Sequence, residues 1–296
     1  MNYKNICVAG SGVLGYQIAF QCAYHGFNVT VYDINDEVLE EAKKKFDIMA
    51  NHFRQDMAAS DTDLEKAKEN LHYTSNLAEA VKDADLVIEA VPENPKIKME
   101  FYHQLAEVAP EKTVFVTNSS TLLPSQLAKA TGRPSKFLAL HFANEIWKHN
   151  TAEVMGHPET SKENFDDIIA FAKQIGMIAL PVYKEQPGYI LNSLLVPFLS
   201  AATELLVNQV ADAPTIDKTW MLATGAPLGP FAILDVVGIT TAYNINKMAA
   251  STDPEKQKAA DYFKTNFIDK NKLGVSTGEG FYKYPNPAYA DKDFLK

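Results

Sequence analysis

The residues best suited to exchange a proton with a bound molecule lie around position 141. His141 follows the apolar run Phe137–Leu140, Asn144 comes three residues later, and Glu153 lies on Thr151–Met155, which is predicted to be the adjacent strand. The ordinary pKa of histidine, roughly 6.5, is close to neutral pH, so an imidazole can both accept and return a proton. A carboxylate on the second ring nitrogen fixes the tautomer and stabilises the imidazolium form. Taken alone, these residues could equally be a satisfied histidine at a strand end and a solvated carboxylate. Together with Asn144 and the glycine-rich turn described next, His141 and Glu153 are predicted to act as a general acid–base pair.

A glycine-rich turn near the N-terminus has the pattern of a dinucleotide-binding loop. Gly10-Ser11-Gly12-Val13-Leu14-Gly15 follows the short strand Ile6–Ala9 and opens a helix predicted over Tyr16–His25. In this fingerprint the first glycine makes a tight turn, the second lets the backbone approach a pyrophosphate, and the third allows close helix packing. The amide groups and the dipole at the start of the helix favour phosphate binding. The predicted cofactor contacts in the turn are Gly10, Gly12, Val13, Leu14 and Gly15.

An acidic residue ends the next predicted strand. Asp33 follows Asn28–Tyr32 at the distance where the fingerprint places a hydrogen bond to the adenosine ribose. The neighbouring Ile34 and Asn35 offer no arginine for a 2′-phosphate, so NAD is predicted in preference to NADP. An alternative is that Asp33 only caps the following helix, although Asn35 or Asp36 could do this.

A parallel sheet is needed to bring these residues together. Apolar runs with strand character alternate with helical patterns, at Asn5–Ala9, Val29–Tyr32, Leu86–Val91, Val114–Thr117, Phe137–Leu140 and Ala179–Tyr183. This alternation predicts an α/β fold, a doubly wound and mostly parallel sheet of the Rossmann type with helices on both faces. A helical hairpin is predicted over Asp36–Asn70, inserted beside the sheet and turning near Ala59–Asp63. The strand patterns cease at Pro187, which predicts an NAD-binding domain over 1–185 and an all-helical C-terminal domain over 186–296.

Composition narrows the class of protein. The 296-residue chain is 46% hydrophobic and 22% charged, as expected of a globular protein, and its net charge is −9. A whole-molecule basic field is therefore excluded, and neither nucleic acid nor a membrane is predicted as a partner. The chain opens directly into a strand without a signal sequence, so a cytoplasmic location is expected.

Two further patterns concern the interior. The only cysteines, Cys7 and Cys22, favour reduced buried thiols over a disulfide or a metal site, and no metal is predicted. The most apolar stretch, Tyr189–Val207, contains Asn192 and Glu204. These polar residues predict a buried helix rather than a membrane span.

Several separated motifs together resemble the L-3-hydroxyacyl-CoA dehydrogenase family, which includes bacterial 3-hydroxybutyryl-CoA dehydrogenases. Besides the glycine turn, the matching stretches are Val87–Asn94 with Lys98, Asn118–Ser120, His141 with Asn144 and Glu153, Pro187–Asn192, Gly229–Phe231 and Thr277–Tyr282. They follow the family's order along nearly the whole chain. The resemblance implies reversible, NAD-dependent oxidation of (S)-3-hydroxyacyl-CoA to 3-oxoacyl-CoA, with 3-hydroxybutyryl-CoA among the expected substrates. It also implies a homodimer formed through the C-terminal domain.

The resemblance assigns roles to further polar residues. Ser119 is expected to hydrogen-bond the oxygen that changes oxidation state. Asn144 and Asn192 are expected to position the substrate and the histidine across the cleft between the domains. The residues expected in the cofactor site, beside those of the glycine turn, are Asp33, Glu93, Lys98 and Asn118.

An acidic protein needs a local basic surface to hold the phosphates of coenzyme A. The family places the adenosine end of coenzyme A on the inserted hairpin, whose basic residues are Lys43, Lys44, Lys45, Arg54, Lys66 and Lys68. The same side chains could instead pair with neighbouring glutamates on a solvated face. Likewise, Lys98 could be an exposed helix lysine, and Ser119 could serve only to begin a helix.

Two segments depart from the family pattern. Members continue from the histidine and asparagine into a proline-rich turn, whereas this chain has Glu145–Asn150, and Ser193 stands where an arginine is usual. The loop follows the residues beside the reacting carbon, so substrate preference is the property most open to change. His149 is a rival base, but it sits in a polar turn. Two other functions stay open: a dehydrogenase of a free 3-hydroxy acid or sugar acid, and a non-catalytic NAD-binding sensor or structural protein.

Overall fold

The computed structural model describes residues 3–296, which fall into two compact units. The first unit ends at Ile190 and the second spans Leu191–Lys296. A sheet with helices on both faces forms the first unit, and helices form the second. The predicted fold class, a Rossmann-type sheet followed by an all-helical region, is confirmed.

The first unit is organised by one eight-stranded sheet. Its strands are β1 Asn5–Ala9, β2 Asn28–Tyr32, β3 Leu71–Thr74, β4 Leu86–Glu89, β5 Val114–Thr117, β6 Phe137–Phe142, β7 Thr151–Met155 and β8 Ile178–Val182. Their order across the sheet is β3-β2-β1-β4-β5-β6-β7-β8. Every neighbouring pair is parallel except β6 and β7, which are antiparallel. The order reverses direction at β1 and β4, and in open sheets of this type ligands bind at the carboxyl ends of the strands beside that point.

Helices cover both faces of the sheet. They are α1 Gly15–Tyr24, α2 Asp36–Asp56, α3 Asp61–Glu69, α4 Leu77–Val81, α5 Pro95–Val108, α6 Pro124–Leu127 and α7 Lys162–Gln174. Side chains of β1 alternate between two apolar clusters: Ile6 and Val8 belong to one, and Cys7 and Ala9 to the other. A strand buried on both faces reads as a continuous apolar run, which is why the central strands could be recognised in the sequence.

The inserted hairpin consists of α2 and α3. Both helices begin at a capping side chain, since Asn35 accepts from the amide of Val38 and Ser60 from the amide of Asp63. The buried residues of α2, at helical spacing, are Leu39, Ala42, Phe46, Met49, Ala50 and Phe53. One apolar stripe therefore docks the hairpin and leaves its charged face to solvent.

The second unit has its own core. Its helices are α8 Tyr189–Val207, which begins at the end of the first unit, α9 Ala213–Thr224, α10 Pro230–Val237, α11 Ile239–Ala249 and α12 Pro254–Asn266. Two buried acids hold the C-terminal segment to these helices. Asp217 accepts from the Tyr282 hydroxyl, and Asp235 accepts from the amides of Phe281 and Tyr282. Burial of a carboxylate is tolerated because these donors satisfy it.

Helix α8 is less buried than its sequence predicts. Among the described helices, it alone is long and apolar enough to cross a membrane by length and composition. Only 17% of its most apolar 18-residue stretch is buried. The buried residues are Tyr189, Leu199, Ala202 and Thr203. The prediction of a buried helix is therefore wrong for the isolated chain: an apolar composition marks a helix that avoids water, without saying whether its own chain covers it.

Candidate active site

Two adjacent strands bring the predicted acid–base residues together. His141 on β6 and Glu153 on β7 are directly opposite in the antiparallel register, and both side chains are buried. His141 Nδ1 lies 3.2 Å from Glu153 Oε2, and Glu153 Oε1 accepts a 2.8 Å hydrogen bond from the amide of Ile190. An ionised carboxylate can only accept, so this contact places a proton on Nδ1 and leaves Nε2 as the basic nitrogen.

Tyr189 covers one face of the His141 ring. The two rings are stacked, with centroids 4.3 Å apart and an interplanar angle of 11°. The Tyr189 hydroxyl donates a 2.8 Å hydrogen bond to the carbonyl of Ser119, and burial raises its pKa, so that it stays a neutral donor. An aromatic face next to the imidazole stabilises its protonated form.

Of the two serines after β5, Ser120 rather than Ser119 faces His141. Ser120 Oγ lies 3.0 Å from His141 Nε2. Ser119 is buried, donates a 2.5 Å hydrogen bond to Glu93 Oε1, and accepts one from the amide of Leu122. The structure therefore places Ser120, and not the predicted Ser119, beside the basic nitrogen of His141.

A cavity lies next to Ser120. It has a volume of about 290 Å³ and is lined by Val13, Leu14, Ala90, Val91, Glu93, Lys98, Asn118, Ser120 and Asn144. Asn118 and Ser120 line it, whereas Thr117 and Ser119 point away and donate to the carboxylates of Glu89 and Glu93. The alternation of a strand therefore continues beyond the end of β5. Asn118 Oδ1 also accepts from the amide of Phe142 and so ties β5 to β6 beside the histidine.

A buried ion pair supports one side of this cavity. Lys98 on α5 is 1% exposed, and its Nζ lies 2.5 Å from Glu89 Oε1 and 3.2 Å from Glu93 Oε2. The alternative that Lys98 is an exposed helix lysine is therefore wrong. Glu89, at the end of β4, also accepts a hydrogen bond from Tyr102. Burial opposes ionisation of Glu93, but hydrogen bonding by Ser119 and the charge of Lys98 outweigh it and lower the pKa of Glu93.

The glycine turn leaves backbone open to a bound group. Gly10 has a φ of +98°, and a Cβ there would lie 2.5 Å from the carbonyl oxygen of Ala90. A Cβ on Gly15 would lie 1.8 Å from the carbonyl oxygen of Gly10. The packing of the chain itself thus requires glycine at both positions. A Cβ on Gly12 would meet nothing within 4 Å, so only a molecule outside the chain gives a reason for glycine there.

The turn opens onto a second, larger cleft. This cleft has a volume of about 920 Å³, and its lining includes Gly10, Gly12, Val13, Asp33, Ile34, Lys45, Lys96 and Phe101. Asp33 Oδ2 accepts hydrogen bonds of 2.7 and 2.6 Å from the amide and hydroxyl of Ser11. Asn35 caps α2, so the alternative that Asp33 is the cap is wrong. The amides at the start of α1, the open backbone at Gly12 and the carboxylate of Asp33 fit a dinucleotide.

The two amides expected to position the substrate lie in different units. Asn144 lines the small cavity, and its Oδ1 accepts a 2.8 Å hydrogen bond from Gln17. Asn192 lies on α8 in the second unit and is half-buried. Its role toward the substrate stays a prediction.

Most basic residues of the hairpin have acidic partners. The ion pairs are Lys43–Glu40, Lys44–Glu41, Arg54–Asp61 and Lys68–Asp47. All eight side chains are substantially exposed, so each pair contributes little to stability, on the order of 0–1 kcal/mol. The predicted pairing with glutamates on a solvated face is confirmed for Lys43 and Lys44, whereas Arg54 and Lys68 pair with aspartates.

A Rossmann-type sheet with this glycine turn, an acid at the ribose position and a histidine at its carboxyl edge defines an NAD-dependent dehydrogenase. Residues 5–186 match the model of the 3-hydroxyacyl-CoA dehydrogenase NAD binding domain, and residues 188–284 match that of the 3-hydroxyacyl-CoA dehydrogenase C-terminal domain. The mitochondrial hydroxyacyl-coenzyme A dehydrogenase of Rattus norvegicus is 35% identical over 289 residues, which cover 95% of this chain and 91% of that protein. The chain belongs to the 3-hydroxyacyl-CoA dehydrogenase family of oxidoreductases, and NAD is its cofactor.

Solved structures share this architecture. A diketoreductase, described in connection with substrate-directed dual catalysis of dicarbonyl compounds, has a TM-score of 0.93 and 55% identity, covering 96% of this chain and 100% of that chain. The (S)-3-hydroxybutyryl-CoA dehydrogenase of Ralstonia eutropha has a TM-score of 0.83 and 25% identity, covering 96% of this chain and 100% of that one.

Several residues of the site were not found from the sequence. Glu89, Tyr189 and Gln17 contact predicted site residues, but each lies within an apolar run or a helix where nothing marks it for chemistry. Ser120 had a usable signal, because alternation from the end of β5 puts it on the same side as Asn118. Choosing between two adjacent serines requires knowing where the strand ends.

Proposed function

We propose that the protein interconverts a 3-hydroxyacyl compound and its 3-oxoacyl product with NAD, and that His141 exchanges the hydroxyl proton. The observation that carries this proposal is the fixed His141 ring, with Glu153 at Nδ1 and Ser120 at Nε2. Oxidation of a secondary alcohol needs a base at the hydroxyl, and reduction needs an acid at the same place. A histidine can do both at neutral pH.

Each side chain has a separate part in the reaction. NAD supplies the hydride acceptor for oxidation and, when reduced, the donor for the reverse reaction. His141 Nε2 takes the hydroxyl proton, and Glu153 stabilises the imidazolium that results. Ser120 donates a hydrogen bond to the substrate oxygen and holds it beside Nε2. Tyr189 keeps water from one face of the imidazole.

The first substrate candidate is an (S)-3-hydroxyacyl-CoA, for example 3-hydroxybutyryl-CoA. Family matches over both parts of the chain support it. The thioester carbonyl, two carbons from the reacting C3, supplies a hydrogen-bond acceptor that the polar side chains of the cavity can meet.

The second candidate is a small dicarbonyl compound without coenzyme A. The 55% identity to a diketoreductase favours it. So does the charge of the hairpin: α2 and α3 carry six and four carboxylate residues against four and two basic residues. Net negative charge on this surface disfavours the phosphates of coenzyme A.

One assay separates these candidates. Oxidation of NADH is followed with acetoacetyl-CoA, with free acetoacetate and with a small uncharged dicarbonyl compound such as a 1,3-diketone, and is repeated with NADPH. Turnover only with the thioester supports the first candidate, and higher kcat/KM with the small dicarbonyls supports the second. NADPH turning over as well as NADH would contradict the role of Asp33. If the protein binds NADH but turns over none of these substrates, and His141→Gln leaves NADH binding unchanged, the dehydrogenase proposal is wrong and a sensing role is favoured.

We further propose that the protein is a cytoplasmic homodimer associating through the helical unit. Support comes from apolar residues of α8 that lie in this unit and are exposed, which are Leu191, Leu194 and Leu205. Large exposed apolar surfaces rarely persist in monomeric proteins. A second copy of the chain is the occupant proposed for this surface.

A further inference from the structure

A buried glutamine joins the cofactor turn to the loop after the histidine. Gln17 lies on α1 and is 2% exposed. Its Nε2 donates hydrogen bonds of 2.8 Å to the carbonyl of Val13 and 2.8 Å to Asn144 Oδ1. Its Oε1 accepts from the amides of Glu145 and Ile146, at 2.9 and 3.4 Å. All the hydrogen-bonding capacity of this amide is therefore used inside the protein.

The backbone fixes which way round the Gln17 amide lies. The Val13 carbonyl can only accept, so it must face Nε2, and the amides of Glu145 and Ile146 can only donate, so they must face Oε1. The second hydrogen on Nε2 then points to Asn144, which must present its oxygen in return. Asn144 lines the small cavity with Ser120, and its own amide nitrogen has no hydrogen-bond partner among residues 3–296.

We propose that Gln17 is a positioning residue that holds Asn144 with its Nδ2 toward the cavity, as a hydrogen-bond donor for a carbonyl oxygen of the substrate. This selects substrates with a second carbonyl two carbons from the reacting carbon, whether thioester, ester or ketone. An alcohol without that oxygen would leave the Asn144 amide unsatisfied. The inference deepens the proposed function and rests on it for the kinetic test.

Gln17→Glu removes both hydrogen bonds that Nε2 donates, to Asn144 and to the Val13 carbonyl. The substitution keeps the size of the side chain and the acceptor for Glu145 and Ile146, but replaces Nε2 with an oxygen. Asn144 is then expected to rotate so that Nδ2 faces the new carboxylate and Oδ1 faces the cavity. We expect kcat/KM for the carbonyl substrate to fall by about tenfold to a hundredfold, the effect of a hydrogen bond lost and replaced by a repulsive contact. The dissociation constant of NADH should stay within about twofold of its original value.

Matched variants separate positioning from a general structural effect. Gln55→Glu makes the same chemical change on an exposed position of α2 and should leave kcat/KM unchanged. In an Asn144→Ala background, Gln17→Glu should lower kcat/KM by no more than about twofold further, because only its hydrogen bond to Val13 is then lost. An equal loss in that background, or weaker NADH binding in parallel with kcat/KM, would overturn the proposal.

A binding-independent measurement keeps this inference distinct from the proposed function. The nitrogen-15 side-chain signal of Asn144 is assigned by its disappearance in Asn144→Ala. Its hydrogens should exchange rapidly with water in the unaltered protein and slowly in Gln17→Glu, where Nδ2 donates to the carboxylate. Exchange at equal rates would overturn the inference even if the enzyme is active. The predicted difference would uphold it even if none of the assayed substrates turns over.

Discussion

The proton on Nδ1 of His141 determines which ring nitrogen can act as a base. Glu153 holds that proton because its carboxylate accepts and cannot donate. A neutral amide at the same place could donate to Nδ1 and would then stabilise the opposite tautomer, with the proton on Nε2.

Glu153→Gln is therefore expected to lower kcat by roughly a hundredfold to ten-thousandfold, the range seen when the orienting acid of a histidine is replaced by its amide. NADH binding, measured by fluorescence, should be unchanged. Glu159→Gln provides a control at an exposed position. A kcat for Glu153→Gln within twofold of that control would show that the carboxylate does not set the tautomer.

The two neighbouring serines should respond differently to alanine. Ser120→Ala removes the hydroxyl at His141 Nε2 and should lower kcat by roughly tenfold to a hundredfold, with little effect on thermal stability. Ser119→Ala instead releases Glu93 and the amide of Leu122, so its main effect should be a lower melting temperature, with a free-energy cost of about 1–3 kcal/mol. Steady-state kinetics and thermal denaturation on both variants test this. The reverse pattern would restore Ser119 as the residue that contacts the substrate.

At the scale of elements, two glycines of the turn serve different purposes: Gly15 is needed for folding, and Gly12 is expected to be needed for binding NADH. Gly15→Ala places a methyl group against the Gly10 carbonyl and should destabilise the protein by about 1–3 kcal/mol or prevent folding. Gly12→Ala meets no protein atom and should leave the melting temperature unchanged, but should weaken NADH binding by about tenfold because the methyl group occupies the path of the pyrophosphate. Isothermal titration with NADH and thermal denaturation distinguish the two. Unchanged NADH affinity in Gly12→Ala would mean that the dinucleotide does not approach this backbone.

How much of each element could be predicted depends on how it is buried. Strands β1, β4 and β5 are buried on both faces and stand out as apolar runs, whereas β3 at the sheet edge was missed because only Leu71 among its residues is buried. The acid–base pair was predictable because a strand delivers His141 and a second strand pattern delivers Glu153. The hydrogen bonds of Gln17 and Glu89 were not, because they join segments distant in the chain whose approach only the folded sheet creates.

At the scale of the whole molecule, the exposed apolar surface of α8 predicts a concentration-dependent dimer. Leu194 is 70% exposed, and Leu194→Lys should raise the dimer dissociation constant by about tenfold or more, since a buried charge without a partner opposes association. Sedimentation equilibrium measures this directly. Ile178→Lys, on β8 of the first unit, is the matched control and should leave the dissociation constant unchanged. Dissociation by the control instead would place the interface on the sheet.

The two cysteines should report unfolding of the first unit. Both thiols are fully buried, and burial raises the pKa of Cys7 to about 12, so essentially no reactive thiolate exists at neutral pH. Iodoacetamide should therefore leave the folded protein unmodified, and labelling should rise with urea along the unfolding transition. Labelling that proceeds in the folded protein and increases steeply between pH 7 and 9 would show that a thiol is accessible and that its pKa is not raised.

The antiparallel pairing of β6 with β7 has an evolutionary consequence. His141 and Glu153 are register partners, so the hydrogen bonds between β6 and β7 hold them together. Substitutions in the segment that connects the two strands therefore leave this pair in place. That segment carries Asn144 and the atypical Glu145–Asn150 loop. Selection can therefore explore new substrates through the loop while the proton-transfer apparatus is inherited intact. Enzymes with different substrate specificities can therefore arise from one ancestor that already has the acid–base pair.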